Sequence, residues 1–310
     1  MKTNNWDFAK AAEKLRKEIS GRVEERVMMK RYTSFRIGGL CELMVFPDSA
    51  AELAKVVDFC GKAGLPWKIL GRGSNLLVLD NDLEMVLISL QEGMKKIERV
   101  GETRVRAQAG ANLNRLVKVC QDLGLSGLEW ASGIPGSVGG AIRMNAGAEK
   151  KDISMFLKRV EFFREPKGVF SKNMDELKMG YREFEMPDKT IILAGEFELT
   201  PGKPRAIRSR IRGFIKRRRH TQPVHLPSAG SVFKNPAGAY AGRLIEEVGL
   251  KGLRLGDAQV SDMHANFIVN RGRAKARQVL ELIDLIREKV RKEKGVKLEL
   301  EIEIVGKEND

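Results

Sequence analysis

The stretch at 132–148, Ser-Gly-Ile-Pro-Gly-Ser-Val-Gly-Gly-Ala-Ile-Arg-Met-Asn-Ala-Gly-Ala, constrains this chain more than any other. Five glycines in 15 residues make a poor packed core. Each one gives up side-chain contacts and adds ordering entropy. A flexible loop is the bland alternative, but such loops are rich in polar residues. Here Ile134, Val138, Ile142 and Met144 are interleaved. The combination points to backbone wrapped closely around a ligand.

The flanking sequence reads as α/β. Residues 43–46 form a strand that Pro47, Asp48 and Ser49 break. Ser49 and Glu52 have capping-box spacing. Leu53, Val56, Val57 and Cys60 then mark one helical face, which Gly64 ends. Strands follow at 67–70 and 84–90, with a glycine turn between them, and strand–helix–strand order is an α/β unit. A second unit has strand positions Val105, Ala107 and Ala109 and helix positions Leu113, Leu116, Val117 and Cys120. Strands near 160–163 and 191–199 close it. Pro201, Gly202 and Pro204 mark a boundary. Beyond it lie a basic helix at 205–220, a helix with Leu244, Ile245 and Val248, and a strand at 266–269. A helix at 274–294 carrying Val279, Leu280, Ile283, Ile286 and Val290, and a final strand at 298–305, complete the chain. The 310 residues suffice for two or three cores.

Three cysteines, Cys41, Cys60 and Cys120, with no CxxC, argue against a disulfide framework and for a reducing compartment. The three histidines form no metal-ligand pattern. No apolar run is long enough to span a bilayer, and the N-terminus has no apolar stretch of the secretory type. It reads instead as an amphipathic helix. The net charge of +15 suits a polyanionic partner, since charge of one sign steers anions toward a site. The nine Lys and Arg at 203–220 are interrupted by only one aromatic, Phe214. Base-stacking nucleic-acid binders interleave more.

Three further segments carry polar groups in suggestive order. Gly71-Arg72-Gly73-Ser74-Asn75-Leu76-Leu77 can form a nest of amides for phosphate oxygens, although an ordinary strand-end turn gives the same pattern. Ser228-Ala229-Gly230-Ser231-Val232-Phe233-Lys234-Asn235-Pro236 offers a hydroxyl, a lysine and an amide, with no accompanying Ser–His–Asp arrangement. In the last strand, Leu298, Leu300, Ile302 and Ile304 alternate with Glu299, Glu301 and Glu303. Period two places the three glutamates on one face without selecting any of them.

Taken together, these segments resemble the UDP-N-acetylenolpyruvoylglucosamine reductase family. The matching stretches are 32–39, 71–77, 133–148, Tyr181-Arg182, 230–236, Gly256 to Ser261 with His264-Ala265-Asn266-Phe267, and 301–306, in family order over nearly the whole chain. The resemblance implies an FAD-binding region of two α/β subdomains, of the kind shared with vanillyl-alcohol-oxidase-like flavoproteins, at 1–100 and 101–204. It implies an α+β UDP-sugar-binding domain at 205–310. It gives FAD the residues Arg36, Gly71, Arg72, Gly73, Ser74, Asn75, Leu76, Gly133, Ile134, Pro135, Gly136, Gly139, Gly140, Ala141, Asn145, Ala146 and Gly147. The UDP-sugar falls to Tyr181, Arg218, Lys234 and Asn235, with Arg217 and Arg219 open alternatives to Arg218 for the phosphates. The implied reaction reduces UDP-N-acetylglucosamine enolpyruvate to UDP-N-acetylmuramate in peptidoglycan precursor synthesis. NADPH reduces FAD, and flavin N5 delivers hydride to C3 of the enolpyruvyl group. Arg182 would stabilise the charge that develops, Glu301 would share a proton with the enol, and Ser231 would protonate C2.

The expected setting is the cytoplasm, as a monomer, with neither nucleic acid nor membrane as partner. The family commonly has serine two residues after its Tyr-Arg pair, where this chain has Phe184. Only residues 183–230 separate Arg182 from Ser231, so the tyrosine-bearing insertion of longer members is expected to be absent. Two other readings are another FAD oxidoreductase of the same fold, oxidising alcohols or hydroxy acids, and a basic nucleic-acid-binding protein.

Overall fold

The computed structural model describes residues 6–307. Along the chain run α1 (Phe8–Glu18), β1 (Arg22–Met28), β2 (Leu40–Phe46), α2 (Ala50–Ala63), β3 (Trp67–Leu70), β4 (Leu76–Val78) and β5 (Leu83–Ser89). Then come β6 (Ile97–Arg99), β7 (Arg104–Gln108), α3 (Leu113–Asp122), α4 (Val138–Arg143), β8 (Leu157–Arg164), β9 (Gly168–Asn173), β10 (Met179–Gly180), β11 (Glu183–Phe184) and β12 (Ile191–Glu198). The remainder is α5 (Pro204–Thr221), β13 (Ser228–Ser231), α6 (Ala241–Glu247), β14 (Arg254–Leu255), β15 (Ala258–Val260), β16 (Phe267–Asn270), α7 (Ala276–Lys294) and β17 (Glu303–Val305). Several short bridges and 3₁₀ turns lie between these elements.

The chain packs as two units. The first comprises residues 6–27, 42–72 and 84–215, and the second residues 28–41, 73–83 and 216–307. The expected blocks 1–100, 101–204 and 205–310 followed the chain. Packing instead hands two early segments to the second unit, because Phe35, Ile37, Leu77 and Leu79 are buried in its core beside α6 and α7. No helix among the described residues is long and apolar enough to cross a membrane.

The first unit carries two sheets. One has the order β1-β2-β5-β3, with β3 and β5 parallel. The other has the order β9-β8-β12-β7-β6 and is antiparallel throughout. α2 buries Leu53, Val56, Val57 and Cys60, and α3 buries Leu113, Leu116, Val117 and Cys120, the faces their spacing predicts. The Ser49–Glu52 capping box forms only in half. Ser49 Oγ accepts from the Glu52 N–H at 3.2 Å, but the Glu52 carboxylate accepts from the N–H groups of Asp48, Ser20 and Gly21. Gly64 ends α2 at φ 64°, and all three cysteines are buried.

The second unit is built on an antiparallel sheet of order β13-β16-β15-β14. β4 and β17 form a separate parallel pair. α7 buries Val279, Ile283, Ile286 and Val290 as expected. Leu282 completes that face, whereas Leu280 is only partly covered. The Ala276 N–H at the start of α7 donates to Asp80 Oδ2 at 2.8 Å. The last strand departs from the expected alternation. Regular strand is confined to 303–305, with a bend at Glu301 and Ile302. Ile302 and Val305 are buried and Ile304 is 37% exposed, so period two breaks within the segment.

Candidate active site

The glycine-rich ribbon is held rigidly in the first unit. Asn114 grips its start: Gly133 N–H donates to Asn114 Oδ1 at 2.6 Å, and Asn114 Nδ2 donates to Ile134 O at 2.9 Å. Leu113 N–H donates to Gly136 O, and the N–H groups of Val138 and Gly139 donate to Ala111 O and Ala109 O. Ser137 caps α4 through the Gly140 N–H. These bonds bear on how the ribbon could hold a ligand. The amides of Gly133, Ile134, Gly139 and Gly140 serve protein acceptors, so at those positions the missing side chains rather than spare donors distinguish the ribbon. Gly133, Pro135 and Gly140 are exposed, while Gly136 and Ala141 are buried.

Gly71 brings the other predicted cofactor segment to the same place. A Cβ on Gly71 would lie 2.9 Å from Ser137 Oγ, and Gly71 O accepts from Gln91 Nε2 at 2.8 Å. The exposed Arg72 donates to Gln91 Oε1 at 3.4 Å. These contacts make a narrow cradle that side chains would fill. A backbone of this kind fits an extended nucleotide cofactor lying against it.

Arg182 lies on the two-residue turn of the β10–β11 hairpin, with φ 57°. Its guanidinium folds back onto the ribbon's far end. One Nη–H donates to Gly147 O at 2.7 Å and the other to Asn145 O at 3.4 Å. Gly147 is required there, since a Cβ would lie 2.9 Å from that guanidinium and 2.7 Å from Lys151 O. The exposed Tyr181 ring lies 5.2 Å from the Arg182 carbon Cζ. Phe184 is 2% exposed and packs 6.2 Å from the Phe162 ring. Its carbonyl accepts from Arg143 at 3.0 Å.

In the second unit, Ser231 and Glu301 lie on adjoining stretches of backbone. Phe233 bridges Leu300, Lys234 N–H donates to Glu299 O, and Glu301 N–H donates to Val232 O at 2.8 Å. Asn75 holds the other side of this peptide. Its Nδ2 donates to Glu301 O at 2.9 Å, and its carbonyl accepts from Glu303 N–H at 2.9 Å. The bend at 301–302 follows from these bonds, since both Glu301 and Ile302 N–H point to Val232 O. The Asn75 amide, expected at the cofactor, is bonded to Glu301 O in this way.

The turn leading to Asn75 is equally specified. Gly73 has φ 59°, and a Cβ there would lie 2.1 Å from Tyr32 O. Its carbonyl accepts from the Ser34 N–H. Ser74 is half-buried and Leu76 enters β4. Arg36 is exposed with a left-handed φ of 56°.

Two groups near Ser231 were named in the sequence without being given a role. Asn266, 4% exposed, donates from Nδ2 to Phe233 O and accepts at Oδ1 from Phe233 N–H, replacing a missing strand partner. Glu299 faces Lys234 Nζ at 3.8 Å. A buried asparagine beside a β-strand was the available signal for the first, and nothing in the alternation singled out the second. Asn235 Oδ1 accepts from Ala241 N–H at the start of α6. Arg218 lies half-buried in the last turn of α5, and Ala146 N–H donates to Ala141 O.

Comparison with known proteins agrees with this layout. The family model described as UDP-N-acetylenolpyruvoylglucosamine reductase, C-terminal domain, matches residues 222–305, and the FAD binding domain model matches 41–170. The chain is 40% identical over 288 residues to the UDP-N-acetylenolpyruvoylglucosamine reductase of Syntrophomonas wolfei, covering 93% of this chain and 96% of that one. It is 41% identical over 301 residues to the enzyme of that name from Anoxybacillus flavithermus, covering 95% and 99%. The crystal structure of the reductase from Thermus caldophilus superposes with a TM-score of 0.80 at 38% identity, covering 92% of this chain and 99% of that one. By identity and coverage alike, the chain belongs to the UDP-N-acetylenolpyruvoylglucosamine reductase family.

Proposed function

We propose that this protein is an FAD-dependent reductase that converts UDP-N-acetylglucosamine enolpyruvate to UDP-N-acetylmuramate at the expense of NADPH, in peptidoglycan precursor synthesis. The observation that carries the reading is that the carbonyl of Val232, the residue after Ser231, accepts from the Glu301 N–H, while Asn75 donates to the Glu301 carbonyl. When bound, the flavin supplies the hydride acceptor and donor. The ribbon at 133–140 and Gly71 would hold it by close backbone approach.

The chain's own residues handle charge and protons. Arg182, pinned to two carbonyls, would stabilise negative charge developing on the substrate's carboxylate end, as a fixed planar cation can. Ser231 would give its hydroxyl proton to C2. A serine hydroxyl is a weak acid, but an enolate is basic enough to accept from it. Glu301 would share a proton with the enol. Lys234, Asn235, Tyr181 and Arg218 would bind the UDP-sugar. The short link at 183–230 supports assignment to the class without the tyrosine-bearing insertion, and the two sheets of the first unit support two flavin-binding subdomains.

The test is anaerobic. Flavin-loaded protein reduced by NADPH should be reoxidised by the enolpyruvyl UDP-sugar, and absence of reoxidation would overturn the proposal. In Ser231→Ala the NADPH step should stay within about 2-fold, while reoxidation slows by about 10²–10⁴-fold, the usual worth of a positioned acid. Equal loss in both halves would make Ser231 structural.

A further inference from the structure

The resemblance gives Asn145 to the cofactor. The structure gives its side chain other work. Asn145 is 2% exposed, and both ends of its amide are engaged within the protein. Nδ2 donates to Gly180 O at 2.8 Å, and Oδ1 accepts from Ser154 N–H at 3.1 Å. An amide so placed has little left to offer a ligand.

Each of these partners bears on the hairpin that carries Arg182. Gly180 is the last residue of β10 and pairs with Glu183 across the turn. Ser154 anchors the amide to the chain that follows the ribbon. The Asn145 carbonyl itself accepts from the Arg182 guanidinium, as does Gly147 two residues on. One residue thus holds the hairpin at its strand and its cation at the head group. Asn145 has φ 38°, a conformation that asparagine tolerates better than most residues.

We infer that Asn145 is a positioning residue for Arg182 and acts through the β10–β11 hairpin, not through cofactor contact. Its catalytic consequence rests on the proposed function, whereas its structural consequence does not. Arginine has a long, rotatable stem, so a guanidinium aimed at developing charge needs a fixed base as well as fixed acceptors. The side chain of Asn145 fixes the base and its main chain supplies an acceptor.

The test uses flavin-loaded protein and two variants. Asn145→Gly keeps the left-handed backbone and removes the amide. Asn145→Asp keeps the shape and the acceptor but replaces the Nδ2 donor. Hydrogen exchange across 176–186 should quicken by about 10-fold or more in both, because exchange reports local opening. The flavin dissociation constant should stay within about 3-fold, well short of the tenfold that marks loss of a useful contact. Reoxidation by the enolpyruvyl UDP-sugar should slow by at least about 10-fold, with NADPH reduction unchanged. That loss should largely vanish in an Arg182→Lys background, since residues acting through one another are not additive.

Unchanged exchange across the hairpin would overturn the inference. So would a flavin affinity weakened about tenfold or more, which would return Asn145 to the cofactor. So would full additivity with Arg182→Lys. If the wild-type protein were not reoxidised by this substrate, the proposed function would fall, yet exchange and flavin affinity would still decide the role of Asn145.

Discussion

Phe184→Ser alters a buried strand residue of the hairpin that carries Arg182, and its effect can be worked from burial. Phe184 is 2% exposed, belongs to the core of the first unit and packs against Phe162. Removing a buried phenyl ring costs about 3–5 kcal/mol, from lost transfer energy and the cavity left behind. Serine adds a hydroxyl with no partner prepared for it, for about 1 kcal/mol more. We take about 5 kcal/mol as the expected loss, a large share of the roughly 5–15 kcal/mol available to a folded domain. With a urea slope near the upper end of about 1–3 kcal/mol/M, the unfolding midpoint should fall by about 2 M. The assay is urea unfolding followed by far-UV circular dichroism at fixed flavin concentration. Phe184→Leu serves as control and should lose less than about 1.5 kcal/mol, the usual limit for an apolar swap that keeps most of the volume. A serine variant whose midpoint moved by less than about 0.5 M, or one no worse than leucine, would refute the packing argument. The hairpin would then be held by its backbone bonds alone.

Gly73→Ala should cost about 2–3 kcal/mol, since a left-handed alanine is penalised by about 1–2 kcal/mol and its Cβ would lie 2.1 Å from Tyr32 O. Differential scanning calorimetry should show a drop of at least about 5 °C, and a shift near zero would mean the turn moves aside. The acid limb of stability should be steep. Burial works to raise the Glu52 pKa, but hydrogen bonds from the Ser20 hydroxyl and the N–H groups of Asp48, Ser20 and Gly21 prevail, lowering it from 4.5 to about 2. Burial likewise opposes ionisation of Glu129, and bonds from Arg210, Gly127 and Ser126 again leave its pKa lowered. A depressed folded-state pKa means the unfolded chain binds more protons, so stability is present above the ordinary carboxylate range and is lost as pH falls through it. Urea midpoints measured from pH 6 downward should decline between pH 4.5 and about 2, and Glu52→Gln should flatten part of that decline. An unchanged slope in the variant would assign the acid loss elsewhere.

The sequence by itself determined most of the local elements and the family. The helical faces at 53–60 and 113–120 are where 3.6-residue spacing places them, because a face that must be buried leaves its period in the chain. The glycine-rich ribbon was also legible, because an excess of missing side chains needs a physical reason. The fold class and the family followed from motifs in order. What the sequence could not hold was the company each residue keeps. Period two made Glu299, Glu301 and Glu303 equivalent, and the resemblance alone preferred Glu301. Only the tertiary structure supplied a physical difference, the Glu301 peptide being held between Val232 and Asn75 and Glu299 facing Lys234. The bend that ends the alternation comes from hydrogen bonds to residues far away in the chain, so no local pattern encodes it. Asn75 read as a donor at its glycine turn, and the resemblance alone gave Asn145 to the cofactor. In the fold their Nδ2 groups donate to Glu301 O and to Gly180 O on the Arg182 hairpin. A side chain's chemistry is written in its type, but its partner is decided by which distant backbone is brought within about 3 Å.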